Sequence, residues 1–208
     1  MLRPRVIPAL LVKGTGLVKT KQFASPKYVG DPINAVRTFN DKEVDELIVL
    51  DIDATTNNVS PNLSLIEKIS HECSMPLCYG GGIQSVELIR QIISLGVEKV
   101  ALSSAVLNQP DLVQEASQIL GSQSVVVVLD VKKTGLFGKY EVVVENGTKR
   151  TGIDPVVMAK KFAEAGCGEI AINSVDQDGV MQGYDLTLVK RIKEVIDVFK
   201  NHPASFVE

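Results

Sequence analysis

The sequence predicts an α/β fold built from repeated strand–helix units, laid out as a (β/α)8-type TIM barrel, and three observations predict it. Six short apolar runs alternate with six amphipathic segments of helix length. The second half of the sequence repeats the first, and polar or glycine-rich turns recur where the apolar runs end.

The apolar runs are RVIPALLV (5–12), ELIVLDI (46–52), MPLCYGG (75–81), KVALSS (99–104), SVVVVLDV (124–131) and EIAINSV (169–175). Each is of strand length and rich in β-branched residues, as strands buried on both faces require. Between them, PINAVRTFNDKE (32–43), SLIEKISHE (64–72), SVELIRQIISLG (85–96), PDLVQEASQILG (110–121), DPVVMAKKFAEAG (154–166) and DLTLVKRIKEVIDVF (185–199) place apolar residues three and four apart. Strand then helix, repeated in this way, makes a parallel α/β fold. GKYEVVVENGTKRTG (138–152) breaks the pattern: two alternating segments flank Asn146-Gly147, which predicts a β-hairpin inserted after the fifth main strand. KGTGLVKTKQFASPKYVGDP (13–32) reads as a long loop after the first strand.

ELIVLDIDA (46–54) aligns with EIAINSVDQ (169–177), and NLSLIEKI (62–69) with DLTLVKRI (185–192), both displaced by 123 residues. Four units per half is the reading of that offset, so an eight-unit barrel is the expected architecture. Six units are legible before the sequence runs into KNHPASFVE. The expectation is therefore one domain over 1–208 that lacks the last two β/α units.

Composition narrows the function. The chain is 45% hydrophobic and 23% charged with a net charge of −3, which excludes a disordered chain and argues against a binder of nucleic acid. No run approaches a membrane span, and the short N-terminal apolar run is interrupted by Pro8, so a cytoplasmic protein is expected. Three cysteines without CxxC spacing and two histidines give no basis for a metal site, and no cofactor is expected.

In barrels of this kind the chemistry sits where the strands end. YGGGI (79–83) puts Gly80, Gly81 and Gly82 just before a helix, where backbone N–H groups can approach a phosphate; Ser103 and Ser104 end the next strand. A tight turn is the competing reading of the glycines. DQDGVMQGYD (176–185), with Asp178 and Gly179, stands at the repeat-related place. Asp51, Asp53 and Asp130 end strands where a carboxylate can act as acid or base, although an aspartate there also caps turns. Lys19 and Lys21 lie in the first loop. At the opposite strand ends, Arg5, Glu46, Lys99 and Glu169 alternate in sign and would form a ring of charge.

These residues together resemble the cyclase subunit of imidazole glycerol phosphate synthase, the HisF family of histidine biosynthesis. VIP, GDP, DELIVLDI, PLCYGGGI, GSQSVVV, TGID and DQDGVMQGYD fall in the family's order over essentially the whole chain. The resemblance implies a barrel that takes ammonia from a HisH-like glutaminase docked on its N-terminal face and reacts it with a doubly phosphorylated ribulosyl substrate. It places Arg5, Glu46, Lys99 and Glu169 at the ammonia gate. It also places Lys19, Gly81, Gly82, Ser103, Ser104, Asp178 and Gly179 about the substrate phosphates. Asp130 falls on one of two catalytic aspartates, and Leu11 on the other. Leucine transfers no proton, and losing one acid/base group typically costs about 10²–10⁴ in rate.

LLVKGTGLVKT looks more like the HisF-like proteins of surface-polysaccharide loci, which are thought to work with a glutaminase and a sugar amidotransferase to form acetamidino sugars. Three functions are therefore expected to compete: ammonia delivery for sugar amidination, a true cyclase whose acid/base partner is rearranged to Asp51 or Asp53, and a non-catalytic scaffold that binds a glutaminase.

Overall fold

A computed structural model describes residues 4–135, 138–199 and 205–207, and the chain divides into two compact units. The first comprises Met1–Lys19 and Lys27–Ala101, the second Thr20–Pro26 and Leu102–Glu208.

The first unit carries β1 (Ala9–Lys13), the body of a hairpin formed by β2 (Gly16–Lys21) and β3 (Ala24–Gly30), α1 (Pro32–Asp41), β4 (Leu47–Asp51), α2 (Leu63–Glu72), β5 (Leu77–Gly80), α3 (Val86–Ser94) and β6 (Lys99–Leu102). Its main strands pair in parallel in the order β1, β4, β5, β6. Each helix starts on a side-chain cap: Asp31, Asn62 and Ser85 accept from the N–H groups of Asn34, Leu65 and Leu88. Such caps satisfy donors that the first turn leaves free. Register then sorts the side chains. Ala9, Ile48, Cys78 and Lys99 stand in one row, and Leu11, Leu50, Gly80 and Ala101 in the next, two residues further along each strand. Both rows share one face with Glu46, because side chains alternate with a period of two. The other face holds Val12, Leu47, Val49, Leu77, Tyr79 and Val100, all buried.

The segment 13–32, expected as a loop, is instead largely strand. Leu17 and Val18 are buried and β2 pairs with β1 through Leu11↔Val18 and Val12↔Leu17. The turn between β2 and β3 is Gln22-Phe23, with φ of 52° and 61°. Two-residue hairpin turns with both central residues at positive φ normally take Asn or Gly, so this pair gives no turn signal in the sequence.

The second unit continues with α4 (Ser104–Asn108), α5 (Asp111–Leu120), β7 (Val125–Thr134), β8 (Lys139–Val144), β9 (Lys149–Arg150), α6 (Pro155–Glu164), β10 (Glu169–Ser174), α7 (Leu186–Phe199) and β11 (Ser205–Val207). β7, β10 and β11 are parallel neighbours. The hairpin expected around Asn146-Gly147 is present, with Val143↔Arg150 and Val144↔Lys149 in register, and β8 pairs antiparallel with a prolonged β7. Inside it Glu141 is buried and accepts from Arg150, the Gly152 N–H and the Thr134 hydroxyl. Beyond the sixth helix, where no further unit was expected, Ala171↔Ser205 and Asn173↔Val207 pair as a seventh main strand. Three residues are too few to show a period, which is why the sequence gives no sign of it. Residues 200–204, with His202, lie outside the described residues. No helix among the described residues is long and apolar enough to cross a membrane.

Candidate functional site

Charge concentrates first on Glu46, which is only 2% exposed. Its Oε2 accepts from Arg5 Nη1 and from Lys99 Nζ, each at 2.8 Å, while Oε1 has no hydrogen-bond partner among the described residues. Three of the four residues expected in the charged ring thus meet at the entrance of the strands of the first unit. Glu169, the fourth, starts β10 in the second unit and is buried there.

Ascending the same face of the first unit, the side chains turn apolar. Ala9, Ile48 and Cys78 are followed by the row Leu11, Leu50, Gly80 and Ala101. A Cβ at Gly80 would meet Ala101 Cβ at 2.8 Å and Leu50 Cδ2 at 2.9 Å, so that row is tightly closed. No side chain in it carries a hydrogen-bonding group.

Asp51 and Asp53, the other carboxylates expected at the strand ends, differ in their surroundings. Asp51 is in register with Val12, on the face opposite Leu11. Its Oδ1 accepts from the Asp53 and Ala54 N–H groups, both at 3.0 Å, which makes it a turn cap. Burial raises its pKa while those two bonds oppose the shift. Asp53 pairs with Lys13 at 3.4 Å.

The glycine turn has a packing reason. Gly81 has φ of +115°, and a Cβ there would stand 2.3 Å from the Asp51 carbonyl oxygen. The Gly82 N–H donates to Thr55 Oγ1 at 3.3 Å. The tight turn by itself demands Gly81. Lys19 and Lys21 are exposed on β2, and Ser103 and Ser104 lie in the second unit, where Ser104 opens α4.

In the second unit Asp130 and Asn173 are in-register neighbours on β7 and β10, and Asn173 Nδ2 donates to Asp130 Oδ1 at 3.2 Å. Desolvation pushes the Asp130 pKa up to about 7, the Asn173 bond opposing it and the nearby Asp178 carboxylate adding to it. A carboxyl poised there can give or take a proton near neutrality. Sequence reasoning missed Asn173, because only the strand register reveals the pairing.

Asp178, expected at an anion site, has its carboxylate held by the tip of the first hairpin. Its Oδ2 accepts from Thr20 Oγ1 at 2.7 Å and from the Phe23 N–H at 2.9 Å, and its carbonyl accepts from the Gln22 N–H at 2.9 Å. Gln22 Nε2 adds a bond to the Asp176 carbonyl at 3.3 Å. Gly179, at φ +65°, would place a Cβ only 2.2 Å from the Thr20 carbonyl oxygen. The turn after β10 therefore grips the tip of the first hairpin. Nearby, Tyr140 OH and Lys133 Nζ both bind the Asp185 carboxylate, and the Asp176 carboxylate accepts the Lys133 N–H, bracing the end of β7. Among the described residues no cluster of three or more His, Cys, Asp or Glu could hold a metal.

The chain is similar to known proteins along most of its length. A family model described as histidine biosynthesis protein matches residues 5–200. The chain is 51% identical over 198 residues to a provisionally named imidazole glycerol phosphate synthase subunit HisF of Leptospira interrogans, covering 95% of this chain and 78% of that protein. It is 52% identical, with the same coverage, to a provisionally named subunit hisF2 of Pseudomonas aeruginosa. Against the imidazole glycerol phosphate synthase subunit HisF of Alkaliphilus metalliredigens the identity is 39%, again over 95% and 78% of the two chains.

Three outcomes test these assignments. Lys99→Met leaves a buried carboxylate with one cation and is expected to cost about 3–5 kcal/mol in urea unfolding. Asp178→Ala removes two bonds to the hairpin tip; tryptic cleavage after Lys21 should accelerate, with a stability loss of about 1–3 kcal/mol.

For Asp130 the folded pKa is raised, so the folded state holds its proton more tightly than the unfolded chain does. The stability this confers is complete below pH about 4 and is lost as the pH rises through about 7. Asp130→Asn should therefore raise Tm relative to the parent more at pH about 8.5 than at about 5, and an equal shift at both would contradict the desolvated carboxyl.

Proposed function

The chain belongs to the histidine biosynthesis protein family, whose fold is the (β/α)8 barrel, and within it to the HisF type; on that premise we propose that it handles ammonia for sugar amidination and does not serve as an efficient cyclase. In this reading a glutaminase docks at the N-terminal strand ends and releases ammonia. The ammonia is used, together with a sugar amidotransferase, to turn an acetamido group of a surface-polysaccharide sugar into an acetamidino group.

The observation that carries the reading is the row Leu11, Leu50, Gly80 and Ala101. Neutral ammonia crosses an apolar surface at little cost, whereas an unpaired ammonium ion would lose its hydration without compensation. Below the row, the unpartnered Glu46 Oε1 offers an acceptor for an ammonia N–H at the entrance. Within the row itself, position 11 has no carboxylate to take the proton that ring closure must surrender. The chain is also more identical to proteins whose names number them hisF2 and hisF3 than to those named HisF without a number or qualification, which favours a role beside the histidine enzyme.

One observation favours the cyclase as a second reading: Asp130, with a pKa near 7, remains a competent acid or base. The two readings separate in one assay with ammonium salts and the doubly phosphorylated ribulosyl substrate. Turnover should lie about 10²–10⁴ below that of a HisF subunit with both aspartates, and Leu11→Asp should recover part of the loss. An ordinary cyclase rate in the parent chain would overturn the proposal.

A further inference from the structure

A half-buried carboxyl whose charged form is disfavoured by desolvation needs a partner suited to both of its states. The carboxylate can only accept hydrogen bonds, whereas the acid must also donate one. A buried group left unmatched in either state is costly. Of the groups around Asp130, Leu129 and Val131 flank it on β7 and Val143 faces it from β8, and none of these can hydrogen-bond through a side chain. Asp178 is the charged group that acts on it, and its Oδ2 is already taken by Thr20 and Phe23. Asn173, only 9% exposed and in register on β10, is the neighbour with a free choice of role.

We infer that Asn173 is the positioning residue for Asp130, holding it in both protonation states by turning its amide. With Asp130 ionised, Nδ2 donates to Oδ1, the arrangement seen at 3.2 Å. With Asp130 protonated, a half-turn about the last side-chain torsion presents the amide oxygen, which accepts the new O–H. The proton moves between Asp130 and whatever group it serves; Asn173 exchanges none and changes only its orientation. The pair keeps Asp130 in one place through a proton-transfer cycle, so the carboxyl need not be re-solvated to change state. An aliphatic residue at 173 would match neither form, and an aspartate would add a second negative charge beside Asp178. The inference rests on Asp130 as a carboxyl that exchanges a proton, the role the second reading above gives it, but its test uses no substrate and stands or falls apart from the assay above.

The experiment is a carbon NMR titration of the protein labelled at aspartate side-chain carboxyls, with Asp130 assigned by its absence in Asp130→Asn. In Asn173→Leu both forms lose their partner, but the bond to the ionised form is the stronger of the two, so the Asp130 midpoint should rise by roughly one pH unit. Asn173→Ser, which keeps a donor and an acceptor in one group, should return it part of the way. An Asp130 midpoint unchanged in Asn173→Leu overturns the inference. Should that variant not fold, the parent decides. The side-chain nitrogen resonance of Asn173 must shift with the Asp130 midpoint, and a nitrogen signal that ignores that titration equally overturns it.

Discussion

The in-register parallel pairing of the main strands is the constraint on which the site depends. Because side chains alternate with a period of two, a slip of one residue in any strand would exchange its two faces. In the first unit the register sets Glu46 on the same face as Lys99 and, further along, Leu11 beside Leu50. In the second it sets Asn173 beside Asp130. None of these three pairs is close in sequence, and none would exist one residue out of step. Caps at Asp31, Asn62 and Ser85 fix where the helices start, and so how much chain each connection has to spend. The chemistry is therefore a consequence of backbone pairing before it is a matter of side-chain identity.

This explains which parts were legible in the sequence. Runs such as ELIVLDI and SVVVVLDV announce buried strands by composition, and the repeat displaced by 123 residues announces the unit count. Asn146-Gly147 announces its hairpin because its turn takes the residues that positive φ favours. Gln22-Phe23 makes the same kind of turn with residues that do not favour it, so the first hairpin reads as a loop. The site divides in the same way. Glu46 and Lys99 could be paired on paper because both start strands, while Asn173 sits inside a strand with nothing to mark it. Asp178 shows what register and local sequence leave unsaid. Its place in a glycine-punctuated turn suggests an anion site, yet its carboxylate is spent on backbone and hydroxyl donors of the hairpin tip.

That hairpin tip shows how strain is held. Gln22, Phe23 and Ser25 all adopt positive φ, which side chains with a Cβ resist. Local sequence offers no relief, so the compensation must come from elsewhere in the chain. The Asp178 carboxylate and carbonyl and the Asp176 carbonyl supply it by accepting from Thr20, Gln22 and Phe23. The contact is close enough that residue 179 must be glycine, since a Cβ would collide with the Thr20 carbonyl. A glycine that looked like part of a ligand cradle thus has a sufficient cause in the approach of one backbone to another.

The same electrostatics gives Leu11 and Asp130 opposite meanings. A carboxylate among Leu50, Gly80 and Ala101 would have no donor in its row and would be pushed toward its neutral form, at a cost to folding near neutral pH. Leucine removes that cost and closes the row with matching apolar surface. Asp130 carries the cost: desolvation raises its pKa to about 7, and among the described residues the Asn173 amide donates to it. A residue chosen only for stability would resolve position 130 as position 11 is resolved. The two positions therefore suit different tasks. The apolar row of the first unit offers a surface that a neutral molecule can cross, and the Asp130 carboxyl of the second, held beside Asn173, is suited to exchanging a proton.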